Sequence, residues 1–205
     1  MHVEKHFQLT DLGELQNIIA QNSFGLLVTA DLSATHLPFV CELDENGKLW
    51  LYAHMAKANS HWKTIDNTRA LVVFNGPHAY ISPSWYDKKP AVPTWNYVAV
   101  HCYGDVHLLD EGETAIRMHQ LVSHYEPSLL KDEVTMPEAF QHRLRQAVIG
   151  FKLEVNDVLG KEKLGQHRSH EDQVGVLSGL TNSTDPMANL LAEYMQARNL
   201  GNGEA

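Results

Sequence analysis

Six or seven short apolar runs, each closed by turn-forming residues, steer this chain toward an antiparallel sheet. The clearest pair flanks Asp44-Glu45-Asn46-Gly47. Asn-Gly supplies the positive φ angles that tight hairpins need, so residues 36–42 and 48–53 read as neighbouring strands. Pro38 withholds a backbone N–H and argues for an edge position or a bulge. Residues 24–29 and 70–74 are compact apolar runs, the second stopped by Asn75-Gly76-Pro77. Residues 97–109 are long for one strand, and Gly104 within them suggests a bulge. Phe151, Leu153 and Val155 alternate with Lys152, Glu154 and Asn156, the pattern of a half-exposed strand.

Helices announce themselves through their caps. Asp11 with Glu14, Asp110 with Glu113, and Thr135 with Glu138 all have capping-box spacing, the third leading to a helix through Ala147 with Pro137 in its first turn. Asp185-Pro186 opens a terminal helix with Leu190, Leu191, Tyr194 and Met195 as its stripe and Gly201 as its end. Residues 54–62 are expected to leave a strand and enter a helix through Ile65. Residues 161–172 read as a charged loop, and the last few as disordered. The expected class is mainly β with added helices (α+β): a small antiparallel barrel carrying helices. At 205 residues it is expected to be one domain, 1–205, with the helix 185–200 packed on it.

Sixteen Lys+Arg against 25 Asp+Glu leave a formal charge of −9. A field of that sign repels phosphate backbones, and neither a basic patch nor a helix-turn-helix stands out, which argues against direct DNA binding. Cys41 and Cys102 sit in apolar runs and read as free thiols of a cytoplasmic protein. No stretch approaches membrane-spanning length, so no membrane role is expected. Thirteen histidines invite a metal. Their spacing does not support one: His167 and His170 form a lone H-x-x-H. No G-x-S-x-G, P-loop or G-x-G-x-x-G is present, which weakens hydrolase and nucleotide-cradle readings.

Residues 76–104 hold four of the eight prolines and four of the seven tyrosines, with Trp85 and Trp95 among them. Proline-stiffened aromatic loops at the mouth of a sheet suit a planar ligand, and they equally suit a cap on a barrel core. His54-Met55-Ala56-Lys57-Ala58-Asn59 is either a solvated turn or a phosphate seat, with an ammonium and an amide just past a strand end.

Together these stretches resemble the PaiB family, described as FMN-binding negative transcriptional regulators of protease synthesis and sporulation. The resemblance rests on A-T-H-L-P-F from Ala34, H-M-A-K-A-N from His54, and G-P-H-A-Y-I-S-P-S-W-Y from Gly76. V-P-T-W-N-Y-V-A-V-H-C-Y-G from Val92 and G-K-E-K-L-G-Q-H-R-S from Gly160 complete it. Gly165-Gln166-His167 departs from the Ser-Gln-Asn expected there. The resemblance implies a split β-barrel similar to pyridoxamine-phosphate-oxidase-like flavoproteins, in which a homodimer holds FMN in grooves between subunits. It implies that residues 52–59, Ala53 and His54 included, form the phosphate-binding strand end, where Ser-Arg-Lys is more usual. Lys57 and Asn59 stand nearest those positions, and His36 is on the neighbouring strand. Asn96 falls near the place for an amide on the flavin edge, and Trp95 could stack on the ring. Lys163 and Gln166 would close the pocket from the partner chain. Three functions are compatible with it: a flavin-binding regulator acting indirectly or by flavin sensing, an FMN-dependent oxidoreductase with Tyr80, His78 and His101 as acid–base candidates, and a haem-binding split barrel.

Overall fold

The computed structural model describes residues 1–204. In chain order they form β1 (Gln8–Leu9), α1 (Leu12–Gln21), β2 (Phe24–Thr29), β3 (Ala34–Pro38), β4 (Val40–Leu43), β5 (Leu49–Ala56) and α2 (Trp62–Ile65). Then follow β6 (Arg69–Ile81), β7 (Thr94–Leu108), α3 (Glu111–Tyr125), α4 (Glu138–Arg145), β8 (Val148–Lys163), α5 (His170–Thr181) and α6 (Pro186–Arg198). The eight strands make one antiparallel sheet ordered β3-β2-β6-β7-β8-β5-β4, with β1 paired to β8. The path is open at β3 and β4, so the sheet does not close into the full barrel expected from the sequence. Only Phe39 separates these two ends in sequence, and its N–H goes to Ser23 O at 2.9 Å. Pro38 closes β3 at the edge, where its missing N–H leaves no ladder bond unmade.

The chain divides into two compact units, and β6, β7 and β8 are long enough to run through both. One unit comprises Gln16–Phe74 and His101–Val158. Its core stacks Phe39 edge-on against Phe74 and Phe151, with Leu27, Leu51 and Leu153 fully buried around them. Gly25 makes room for this: a Cβ there would stand 2.7 Å from the Phe74 ring. Gly104 does the same on β7, where any Cβ would collide with the Glu154 carbonyl. Close strand approach, in an uninterrupted β7, is therefore the reason for that glycine.

The other unit comprises Met1–Leu15, Asn75–Val100 and Leu159–Ala205. Leu164, Leu180, Leu191 and Met195 fill its interior, and α5 packs on α6. Asp185 caps α6 by accepting from Met187 N at 3.0 Å, as its sequence signature promised.

Several expected boundaries move. His54 stays in β5, opposite Gly150, so the helix after it shrinks to the single turn α2. Gly76-Pro77 does not stop β6: pairing with β2 ends at Val73, so Pro77 lies where that side has no partner. Lys161 and Glu162 continue β8 as buried, paired charges, leaving a loop only after Lys163. α4 starts after Pro137 rather than at Thr135, whose N–H is taken by Asp132 at 2.9 Å. The expected disorder of the last few residues does not hold for 199–204, where Gly201 and Gly203 take left-handed conformations that glycine adopts without strain; Ala205 lies outside the described residues.

Candidate functional site

In the first unit, β5 delivers His54 half-buried, burial holding its imidazole below the usual histidine range. Ala53 beside it is a core residue. The chain then turns at 57–60. Lys57 is exposed, its N–H bound to Ala147 O at 2.8 Å, and its ammonium meets no partner among the described residues. Asn59, by contrast, is fully engaged. Its amide donates to Thr35 Oγ1 at 3.2 Å and accepts from His61 N at 3.0 Å.

Behind Asn59 lies a polar chain that sequence reasoning did not find. His61 is 6% exposed, with Nε2 2.8 Å from Thr29 Oγ1 and Nδ1 2.9 Å from Thr35 Oγ1. Thr29 spends its hydroxyl hydrogen on Asp31 at 2.6 Å, so it accepts from Nε2–H, and Thr35 donates to Nδ1. The network fixes a neutral tautomer and pins the turn that carries Lys57. His36, on β3, is exposed and stacks on Phe24, ring centroids 5.8 Å apart.

In the second unit, β7 opens with Thr94, Trp95, Asn96 and Tyr97. Side chains alternate along a strand, so Trp95 and Asn96 face opposite sides. Trp95 is 53% exposed, 6.1 Å from the His78 ring and edge-on to Tyr80 at 6.4 Å. Asn75, His78, Trp95, Tyr97 and Val98 enclose a pocket of ≈ 360 Å³. Asn96 is 2% exposed and points toward Gly165, yet its side chain makes no hydrogen bond to any described residue. Its donor and acceptor capacity is left for another molecule.

Lys163 and Gln166 are occupied at home. Lys163 Nζ donates to Thr94 Oγ1 at 2.6 Å and Trp95 O at 2.8 Å, fixing the start of β7. Gln166 donates to Glu162 O at 2.7 Å and His6 O at 3.3 Å, and accepts from Leu164 N. The other aromatic knot is structural. Lys89 Nζ ties the carbonyls of Pro83 and Tyr86, and Arg168 lies 4.2 Å over the Tyr86 ring.

A cavity of ≈ 600 Å³ between α3 and α4 contains none of these residues. Its one guanidinium, Arg145, is already paired with Glu138. Among the described residues no group of three or more His, Cys, Asp or Glu is placed to hold a metal, and no helix is long and apolar enough to cross a membrane.

A family model described as "Putative FMN-binding domain" matches residues 1–157. The protease synthase and sporulation protein PAI 2 of Bacillus subtilis (strain 168) is 36% identical over 204 residues, covering 96% of this chain and 97% of its own. An uncharacterized protein of Emericella nidulans, AN0679, is 29% identical over 230 residues, covering 90% and 92%. Two solved structures share the fold at low identity. The flavocytochrome Anf3 of Azotobacter vinelandii superposes with a TM-score of 0.59 at 16% identity, covering 80% of this chain and 73% of its own. The FAD and heme binding protein of Mycobacterium smegmatis gives 0.57 at 12%, covering 77% and 74%.

Proposed function

This chain belongs to the PaiB family of FMN-binding proteins, and from that membership we propose that it is a homodimeric flavin-binding regulator that acts without touching DNA itself. The observation that carries the reading is Asn96, 2% exposed, whose amide has hydrogen-bonding capacity and no partner among the described residues of its own chain. Each unit also offers side chains whose chemistry suits FMN. Trp95 offers an open ring face, Lys57 an uncommitted ammonium for the phosphate, and His36 an exposed imidazole on the neighbouring strand. Asn59, Lys163 and Gln166 serve one step back, holding the 57–60 turn and the start of β7 in place. Ala53 and His54 form the strand end from which that turn departs. Trp95 and Asn96 face opposite sides of β7, so in a homodimer with two FMN sites each side chain would serve a different ligand. When bound, FMN supplies electron transfer, and the protein supplies orientation and hydrogen bonds.

The formal charge of −9 supports regulation through a partner protein or through flavin sensing rather than operator contact. A second reading, an FMN-dependent oxidoreductase, draws on His78 and Tyr80, which stand beside Trp95 as exposed proton-handling groups. Titration with FMN followed by flavin fluorescence tests the shared core of both readings. Saturable quenching at one FMN per protomer is expected, and a monomer indifferent to FMN would overturn it. Reduction of bound flavin by a nicotinamide nucleotide, with turnover on an acceptor, would favour the enzyme. A gel shift on one specific operator at physiological salt would remove the indirect mode of action.

A further inference from the structure

The pocket on the Trp95 side of β7 has a defined polarity. His78 Nδ1 lies 3.1 Å from the Gly76 carbonyl on its own strand. A carbonyl oxygen only accepts, so Nδ1 carries the hydrogen and Nε2 is left with a bare lone pair. His78 is exposed, and no described residue occupies that second nitrogen. Around it stand Trp95, Tyr97 and the exposed Asn75, all lining the same ≈ 360 Å³ pocket, with the Tyr97 hydroxyl engaged by Lys161. That volume sits at the small end of ligand pockets, sized for the end of a planar ring system. Lys161 Nζ is 5.6 Å from the Tyr97 ring centroid, on a side chain only 6% exposed, and is neutralised by Glu4 at 2.8 Å. The pocket thus presents one acceptor beside one amide donor, Asn75, with no net charge aimed into it.

That arrangement complements a ring N–H lying between two carbonyls. We infer that the Trp95 pocket reads the imide edge of a planar heterocycle, with His78 Nε2 accepting the ring N–H and the Asn75 amide donating to an adjacent carbonyl. Trp95 supplies the face against which the ring lies. His78 is then a specificity-determining residue: it separates heterocycles with an imide N–H from those in which that nitrogen is alkylated. The isoalloxazine of FMN has this edge, so the inference rests on the FMN reading above and deepens it.

The test compares FMN with its 3-methyl analogue, in which the imide nitrogen has no hydrogen, on the wild type and on His78→Phe. Phenylalanine keeps a flat ring and removes only the acceptor. Affinity is read from flavin fluorescence, and thermal unfolding checks that the variant remains folded. One hydrogen bond corresponds to a factor of roughly five to ten. The wild type should prefer FMN over the methylated analogue by about that factor, and His78→Phe should bind both alike, near the wild type's affinity for the analogue. If FMN binds but methylation costs nothing, or costs the same in His78→Phe, the inference is overturned and the FMN reading stands. If the wild type binds neither flavin, both fall together.

Discussion

The indole of Trp85 lies flat on the backbone of Gly179, where a methyl group would stand 2.5 Å from ring atom Cε2. One turn earlier in α5, Gly175 meets the Trp85 carbonyl just as closely. This pair of glycines is the seat on which the first aromatic knot rests. In an open helix, Gly→Ala gains about 1 kcal/mol of helix propensity. Here Gly179→Ala should instead destabilise by about 1–3 kcal/mol through overpacking. In a Trp85→Ala background the sign should reverse, because the obstruction is gone while the propensity gain remains. Urea titrations of the two single variants and the double variant measure this coupling.

Two lysines separate binding from scaffolding. Lys57→Ala should weaken FMN binding roughly tenfold or more, the scale of a charge-assisted contact to phosphate, and leave the melting temperature unchanged. Lys163→Ala should do the reverse in its first effect, since its ammonium holds Thr94 and the Trp95 carbonyl. A stability loss of about 1 kcal/mol is expected, with an altered Trp95 emission in the free protein. Equal effects of both variants on affinity and on melting would reject this division.

Acid should destabilise the fold through its buried imidazoles. Burial lowers the pKa of His54, His61 and His101 below the ordinary histidine value, with Asp31 partly opposing it at His61. The unfolded chain then binds protons before the folded one. Stability is fully present above about pH 6.5 and is lost as the pH falls through the lower folded values. Denaturation midpoints taken from pH 7.5 down to 5 should decline, and the decline should be shallower in His61→Gln. A midpoint that rises on acidification would contradict the assignment.

Neither thiol should react in the folded protein. Burial pushes the Cys41 thiol up to about 12, and the fully buried Cys102 is also raised by burial. A disulfide reagent at pH 8 should titrate both cysteines in denaturant and neither, on the minutes scale, without it.

What was legible in the sequence was what is local. Asp11 and Asp110 accept from Glu14 N and Glu113 N at 2.9 and 2.8 Å, as capping spacing implies. The 44–47 turn closes a hairpin, although Gly47 alone takes the positive φ while Asn46 N–H bonds Asp44. What escaped depends on distant partners. α5 carries two glycines mid-helix and a weak apolar stripe, and becomes intelligible only with Trp85 lying on it. Lys161 and Glu162 look like loop charges until Glu4, Tyr194 and Arg198 are seen to pair with them. For the candidate site, residue types were readable but commitments were not. Asn59, Lys163 and Gln166 have suitable chemistry for a ligand, yet the folded chain has already spent it, whereas the free acceptor on His78 follows from a contact two residues away that no spacing rule encodes.

The stretch 161–166 grips both ends of the polypeptide. Lys161 and Gln166 donate to the carbonyls of His2 and His6. Glu162 receives Arg198, and Gly201 nestles against the Leu164 carbonyl. Residues 2–6 and 198–201 are therefore held by one short stretch of backbone. A single lesion there, such as Glu162→Ala, would loosen the closing helix at Arg198 and Tyr194 together.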